Sequence, residues 1–257
     1  MSAGYVHKVD KTQIPVCNIL GVDIAAINME WLLEFTLKNI KDLSGDYMCV
    51  SNVHTTVSAY KDDVYRAVQN GGIMAIPDGG PLSSLGRRRG YGNMRRVTGP
   101  DYMREVMRLS VEKGYRHFFY GSTEPTLKKL RQRLKAEYPQ LQIAGMYSPP
   151  FRSLTEEENN GITRCINEAD ADFVWVGLGA PKQEIWMAEH QGELKGFMVG
   201  VGAGFDYLAG NIARAPEWMQ KFNLEWLYRL CQEPGRLWKR YMQTNTLFVW
   251  HAVLRGK

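Results

Sequence analysis

The sequence predicts an α/β fold, a mostly parallel and doubly wound sheet with helices on both faces, followed by a helical appendage. Three observations predict it. Short β-branched and aromatic runs alternate with stretches of helical periodicity as far as about residue 212, the pattern of strand-helix units that build a parallel sheet. Two of those runs, Phe173–Val176 and Phe197–Val199, end in glycines (Gly177 and Gly179; Gly200, Gly202 and Gly204) and flank an amphipathic segment. They read as one strand-helix-strand unit whose tips are stripped of side chains, so that something can approach the backbone closely. The formal net charge of +5 is also unevenly placed. From Ala213 onward eight basic residues face three acidic ones, and the same stretch carries Trp218, Trp226, Trp238 and Trp250. The expected division is therefore a Rossmann-like core over residues 1–212, with an N-terminal arm and hairpin, and a basic, Trp-rich helical appendage over 213–257.

The totals exclude several classes. With 44% hydrophobic and 23% charged residues the composition is that of a globular protein with a substantial core. No run of about 18 uncharged apolar residues occurs, and the polar start MSAGYVHKVDK lacks a hydrophobic signal core, so the expected location is the cytoplasm. Cys17, Cys49, Cys165 and Cys231 form no CxxC pair and read as reduced, mostly buried thiols.

Element by element, residues 1–15 read as a loose arm and Val16–Ile24 as a small hairpin around Gly21-Val22-Asp23. Asn28 caps a helix with Trp31, Leu32, Phe35 and Ile40 at helical spacing. A strand at 47–51 leads into one helix reaching about Asn70, and a strand at 73–76 runs into Pro77-Asp78-Gly79-Gly80-Pro81. A loop bearing Arg87, Arg88, Arg89, Arg95 and Arg96 precedes a helix opened by Thr98-Gly99-Pro100-Asp101. Strand 117–120, helix 124–138, strand 143–147 and helix 155–167 follow before the glycine-tipped unit.

In such sheets ligands sit outside the carboxyl ends of the strands, which sorts the motifs. Asp170-Ala171-Asp172 spells the DxD of metal-dependent sugar transferases, but it precedes a strand and so lies at the wrong edge; it reads as a solvated turn. Asp78 follows a strand directly and is aimed over the correct edge, where a carboxylate can act as general base; as a residue type it also suits a turn. Asn52 and Thr55 stand at the neighbouring strand end, as hydrogen-bonding groups or as a helix cap. Pro181-Lys182-Gln183 begins a helix beside a glycine tip, a ready anion site if the backbone N–H groups are free, with Lys182 adding charge and Gln183 able to hold a sugar or base. Gly200-Val-Gly-Ala-Gly204 resembles part of a dinucleotide fingerprint, with Phe205 where that pattern wants glycine. The cations of the appendage suit a diphosphate or an anionic lipid surface, and nothing supports nucleic acid.

Several blocks occur together in order: Asn52 in SNVHT, Pro77-Asp78-Gly79, Arg96-Val-Thr-Gly99-Pro-Asp101, GLGAPKQE from Gly177 through Gln183, GVGAGFD ending at Asp206, Arg214-Ala-Pro-Glu-Trp218 and LEWLYRL around Arg229. Between about residue 16 and about residue 245 the chain closely resembles the WecG/TagA/CpsF glycosyltransferases, glycosyltransferase family 26. The resemblance implies an inverting transferase, without metal or other cofactor, that moves a sugar of N-acetylmannosamine, mannosaminuronic acid or glucose type. The donor would be a UDP-sugar, and the acceptor a polyprenyl-diphosphate-linked saccharide at the inner membrane face, in surface polysaccharide or teichoic acid biosynthesis. It implies Asp78 as general base. Asn52, Thr55, Arg96, Gly177, Gly179, Lys182, Gln183, Gly202 and Asp206 would line the substrate pocket, and Arg214, Arg229, Arg236 and Arg240 would close over it from an appendage that docks on the anionic membrane and completes the site. A homo-oligomer is compatible with such a movable appendage. Two competing readings are a dinucleotide-dependent oxidoreductase using Gly200–Gly204, disfavoured by the lack of an acidic residue about 20 positions further on, and a noncatalytic UDP-sugar-binding membrane scaffold.

Overall fold

The protein is described by a computed structural model over residues 5–221 and 224–256, with the side chains of residues 217, 221, 236 and 240 also outside the described set. Eight strands form one sheet: β1 (Val16–Ile19), β2 (Val22–Ala25), β3 (Tyr47–Ser51), β4 (Met74–Pro77), β5 (Arg116–Gly121), β6 (Gln142–Tyr147), β7 (Phe173–Gly177) and β8 (Phe197–Gly200), in the order β1-β2-β4-β3-β8-β7-β5-β6. Among the described residues only the β1–β2 hairpin is antiparallel; every other pairing is parallel. A parallel sheet is covered on both faces, which is why β3, β4 and β8 are buried along their whole length and read as unbroken apolar runs. The two covers form two cores, one centred on Trp175, Tyr102 and Phe205 and the other on Val174, Tyr120 and Met187.

The helices are set by local chemistry. Asn28 caps α1 (Met29–Asn39) through the Trp31 amide at 2.9 Å, and Thr98 and Thr123 cap α5 (Gly99–Lys113) and α6 (Glu124–Glu137). Two expectations are corrected here. The single helix expected to reach Asn70 is two, α2 (Val53–Lys61) and α3 (Asp63–Gly71), because Asp62 is extended and spends its carboxylate capping Val64 and Tyr65. The arginine loop is shorter than expected because α4 (Gly80–Arg88) starts immediately after Asp78-Gly79, its proline tolerated in a first turn that needs no amide there. The thiols also depart in part from expectation: all four are free, but Cys165 and Cys231 are exposed.

After α7 (Glu156–Glu168), α8 (Lys182–Glu189) and α9 (Gly204–Ala209), the chain runs through α10 (Glu217–Lys221), α11 (Glu225–Gln232), α12 (Pro234–Phe248) and a π-helical turn at Val249–Leu254. α12 lies against α2, and Phe248 and Ala252 are buried in the second core, so the last helices are anchored beside the carboxyl ends of β3 and β4. No helix among the described residues is long and apolar enough to cross a membrane.

Candidate active site

A cleft of about 770 Å³ opens at the carboxyl edge of β4, β3, β8 and β7 and is roofed by α11 and α12. Its size suits a nucleotide or other ligand of similar bulk. One wall is the sheet edge. Asn52 uses Oδ1 to accept from the amides of His54 (2.9 Å) and Thr55 (3.2 Å), while the Asn52 amide donates to the Thr55 hydroxyl at 2.9 Å. Both residues therefore form a capping box at the mouth of the cleft, and only Nδ2 of Asn52 is left outside it.

Asp78 follows β4, held by its backbone. Its amide donates to Ser51 O at 2.8 Å and its carbonyl accepts from Arg96 Nε at 2.7 Å, fixing the residue from both sides while leaving the carboxylate for the cleft. Burial pushes that carboxyl up to about 6; Arg96 and Arg229 act against the shift, and Glu225 and Asp101 reinforce it. A carboxylate so placed is a base tuned towards neutral pH, the condition general-base chemistry favours.

The tips of β7 and β8 are tied together by one side chain. Gln183 Oε1 accepts from the amides of Gly179 (3.1 Å) and Gly202 (2.9 Å), and its Nε2 donates to Glu184 Oε1 at 2.8 Å. Those two glycine-tip amides are thus not free for an anion. Their acceptor is internal, and Gly202 needs its left-handed φ of +52° to present the amide to it. Behind Gln183 lies a buried chain in which Ser51 donates to Gln69, Gln69 to Tyr65, and Tyr65 to Glu184 Oε2 at 3.2 Å. Glu184 is fully buried, and burial raises its carboxyl above the usual range.

The opposite wall belongs to the segment after residue 212. Arg214 makes a two-pronged ion pair with Asp101, which also accepts from the Thr98 hydroxyl at 2.6 Å. Burial works against the charge on Asp101, yet these hydrogen bonds outweigh it and hold its pKa below the usual carboxylate range. Glu225 reaches Arg96 at 2.5 Å, and Arg229 stands 3.9 Å from Glu233. Tyr207 lies between Arg214 and Arg229, with its ring centre 6.0 and 5.6 Å from their guanidinium carbons; burial pushes its phenol up to about 12. The cleft lining also includes apolar residues of α4 and the C-terminal helical segment, Pro81, Leu85, Phe248, Val249 and Val253, together with Arg88.

Among the expected site residues, Asn52, Thr55, Asp78, Arg96, Gly179, Gln183, Gly202, Arg214 and Arg229 meet in this cleft. Gly177 does not line it; a Cβ there would come within 2.8 Å of the Phe205 ring, so its role is close packing. Lys182 is exposed at the outer start of α8. Asp206 turns away, accepting from Asn211 (3.0 Å) and Thr126 (3.4 Å) to join α9 to α6. Arg236 and Arg240 lie on α12, with side chains outside the described residues. Asp172 accepts from the Arg116 amide at 2.8 Å at the start of β7, the far edge of the sheet, and among the described residues no group of three or more His, Cys, Asp or Glu could hold a metal ion. The glycines of 200–204 open only the six-residue α9, too short for the long first helix of a dinucleotide unit.

Tyr207, Glu184, Glu225 and Asp101 are site residues that the motif reading did not assign. The signal for Glu184 was present, since Met187 and Ala188 at i+3 and i+4 put it on the buried stripe of α8.

Comparison with known proteins agrees with this geometry. A 217-residue match at 30% identity, covering 84% of the chain and 82% of the relative, is to the N-acetylglucosaminyldiphosphoundecaprenol N-acetyl-beta-D-mannosaminyltransferase of Bacillus subtilis (strain 168). The proteins of the same name in Bacillus spizizenii (strain ATCC 23059 / NRRL B-14472 / W23) and Staphylococcus aureus (strain MW2) are 29% and 25% identical, covering 77% and 93% of this chain and 75% and 92% of their own. The family model described as Glycosyl transferase WecG/TagA/CpsF family matches residues 17–257, so the chain, from its hairpin to its last helical turn, belongs to that glycosyltransferase family.

Proposed function

We propose that this glycosyltransferase moves an N-acetylmannosaminyl group, with inversion and without a metal ion, from a UDP donor to a saccharide carried on a polyprenyl diphosphate. The acceptor class and the sugar are those in the names of the relatives. The observation that carries the mechanism is the Asp78 carboxylate, buried at a strand end, without an ion pair of its own among the described residues and facing a cleft lined by four arginines. In the reaction Asp78 takes the proton of the acceptor hydroxyl as that oxygen forms a bond to the anomeric carbon. The bond from that carbon to the diphosphate oxygen breaks, and the electron pair leaves with UDP. One displacement on an α-linked donor gives a β product, the linkage in the relatives' names. Arg96, Arg214 and Arg229 stand where the developing charge needs cations, the task a divalent ion has in DxD transferases.

The apolar lining residues of α4 and the C-terminal segment suit the first isoprene units of the acceptor. The appendage exposes Trp218, Trp226, Trp238, Trp250 and Leu254 and carries the exposed Lys239 and Arg255, the composition of a segment that lies in the interface of an anionic membrane. We accordingly take residues 1–212 as the catalytic core and 213–257 as a membrane-docking closure. The test is transfer of radiolabelled sugar from a panel of UDP-sugars to polyprenyl-diphosphate N-acetylglucosamine with EDTA present. Transfer from UDP-N-acetylmannosamine at an undiminished rate supports the reading. Dependence on added metal overturns the metal-free part, and the absence of any transfer or hydrolysis would favour a binding scaffold.

A further inference from the structure

Glu225 is a carboxylate in a place equipped for a larger anion. It opens α11, is only 8% exposed, and projects into the cleft that holds Asp78. Its Oε2 lies 2.5 Å from Nη2 of Arg96, which belongs to the core, and its Oε1 lies 3.7 Å from Nε of Arg214, at the start of the appendage. The first is a charge-assisted hydrogen bond; the second is too long to be one. Nε of Arg214 and Nε of Arg229 are both buried and find no hydrogen-bond acceptor among the described residues. Buried N–H groups without acceptors are rare and costly, and here two of them come from guanidinium groups that line the same cleft as Glu225. Glu225 thus leaves the Nε–H of Arg214 without an acceptor at hydrogen-bonding distance.

The charges point the same way. Of the four arginines that line the cleft, Arg88, Arg96, Arg214 and Arg229, Arg214 is already paired with Asp101, which leaves three against the carboxylates of Asp78, Glu184 and Glu225, so the cleft is balanced before any ligand arrives. A diphosphate brings two or more negative charges, and if Glu225 stayed the cleft would hold an excess of like charge at short range. If Glu225 leaves, the arginines are released to the phosphates, whose oxygens can also reach the two N–H groups now lacking acceptors.

We propose that Glu225 occupies the seat of the ligand's diphosphate and is exchanged for it: the phosphates take over Arg96 and Arg214, Arg229 joins them, and the Glu225 side chain swings out. This rests on the proposed use of a nucleoside diphosphate donor or a diphosphate-linked acceptor. The carboxylate keeps the arginines of core and appendage assembled while the cleft is empty, and weakens diphosphate binding by competing for the same donors. Glu225 is thus a positioning residue that contacts the reacting groups only through the arginines.

The test is calorimetric titration of the full chain, wild type and the Glu225→Gln and Glu225→Ala variants, with UDP, inorganic pyrophosphate and uridine. Exchange expects both variants to bind UDP and pyrophosphate at least about fivefold more tightly, with uridine binding unchanged. Unchanged or weaker pyrophosphate binding in a folded variant overturns it, and so does tightening confined to uridine, since that change would lie outside the diphosphate seat. If wild type binds pyrophosphate but no UDP, the proposed donor fails, while the pyrophosphate arm still decides the exchange. If one variant fails to fold, as seen by circular dichroism, the other decides.

Discussion

The two walls of the cleft are built on opposite principles. On the sheet side most polar groups are engaged within the protein: Asn52 and Thr55 cap α2, Gln183 accepts from two glycine amides and donates to Glu184, and the chain from Ser51 to Glu184 runs donor to acceptor without a break, leaving the Asp78 carboxylate and Asn52 Nδ2 for the cleft. On the appendage side two guanidinium N–H groups lack acceptors and large aromatic side chains face outward. The first arrangement holds the base and the glycine tips to one geometry, which pre-organised catalysis requires. On the proposed function, the second keeps binding capacity in reserve for a ligand and a surface that arrive from outside. A saturated wall should respond to substitution in kcat or stability, and an unsaturated wall in ligand affinity.

The largest effect is expected on the saturated wall. Asp78→Asn should lower kcat by about 10²- to 10⁴-fold with little change in donor KM, because the amide keeps shape but cannot take the proton. Wild-type kcat/KM should rise as pH climbs towards about 6, the value to which burial pushes Asp78, and level off above it. Stability has the opposite sign. Since the folded pKa lies above the ordinary 3.8, the proton is held more tightly in the native state, so stability is fully present below about 3.8 and falls as pH rises through about 6. At one pKa unit per 1.36 kcal/mol, Asn at this position should stabilise the fold at pH 7 by roughly 2–3 kcal/mol. A variant that is inactive and also less stable at pH 7 would contradict the assignment of Asp78 as a strained base.

Next in size is Arg229→Ala on the other wall. It removes a cation whose Nε has no acceptor among the described residues and whose Nη2 lies 3.9 Å from Glu233, so folding should lose little. Transfer should lose about 10- to 100-fold in kcat/KM, measured with saturating acceptor, as expected when one donor to a developing charge is removed. Glu184→Gln reaches the sheet wall from behind. Both oxygens of Glu184 accept, from Gln183 and from Tyr65, so an amide there sets a donor against a donor and frees Gln183 to rotate away from Gly179 and Gly202. A cost of about 1–3 kcal/mol in unfolding free energy is expected by denaturant titration, with kcat falling more than affinity for UDP; a variant as stable and as fast as wild type would show that the chain of hydrogen bonds is dispensable.

The same contrast governs what can be read in the sequence. Strand ends are legible because buried parallel strands are apolar runs and ligands gather beyond their carboxyl ends, so Asn52 and Asp78 are placed by position alone. Capping residues compete with that reading, and Asn52 turns out to serve its helix with Oδ1 whatever else it does. What stayed hidden depends on distant pairings. Glu225 looks like one more exposed acid on a basic helix until it meets Arg96, 129 residues earlier, and the glycine amides look free until Gln183 folds back on them. The start of α4 was masked by Gly79-Gly80-Pro81, which as a local pattern is a turn and in place is the first turn of a helix. Propensity sees the residue types; only packing decides which surface they serve.

The smallest effect on the folded chain, and the sharpest separation of the walls, is expected from the outward face of the appendage. Trp218 and Trp238 are 57% and 59% exposed, more open than a side chain of that size usually is in a monomer unless something covers it. Replacing both by alanine removes little buried surface, so the melting free energy should stay within about 0.5 kcal/mol of wild type. UDP binding should be unchanged, because neither residue lines the cleft. Co-sedimentation with vesicles containing anionic lipid should fall several-fold, and transfer to a polyprenyl acceptor presented in those vesicles should fall with it, while transfer to a short-chain acceptor dispersed in detergent is retained. Equal loss on both acceptors would mean that these tryptophans support the cleft itself, and the division between a wall that sets geometry and a wall that meets the membrane would have to be redrawn.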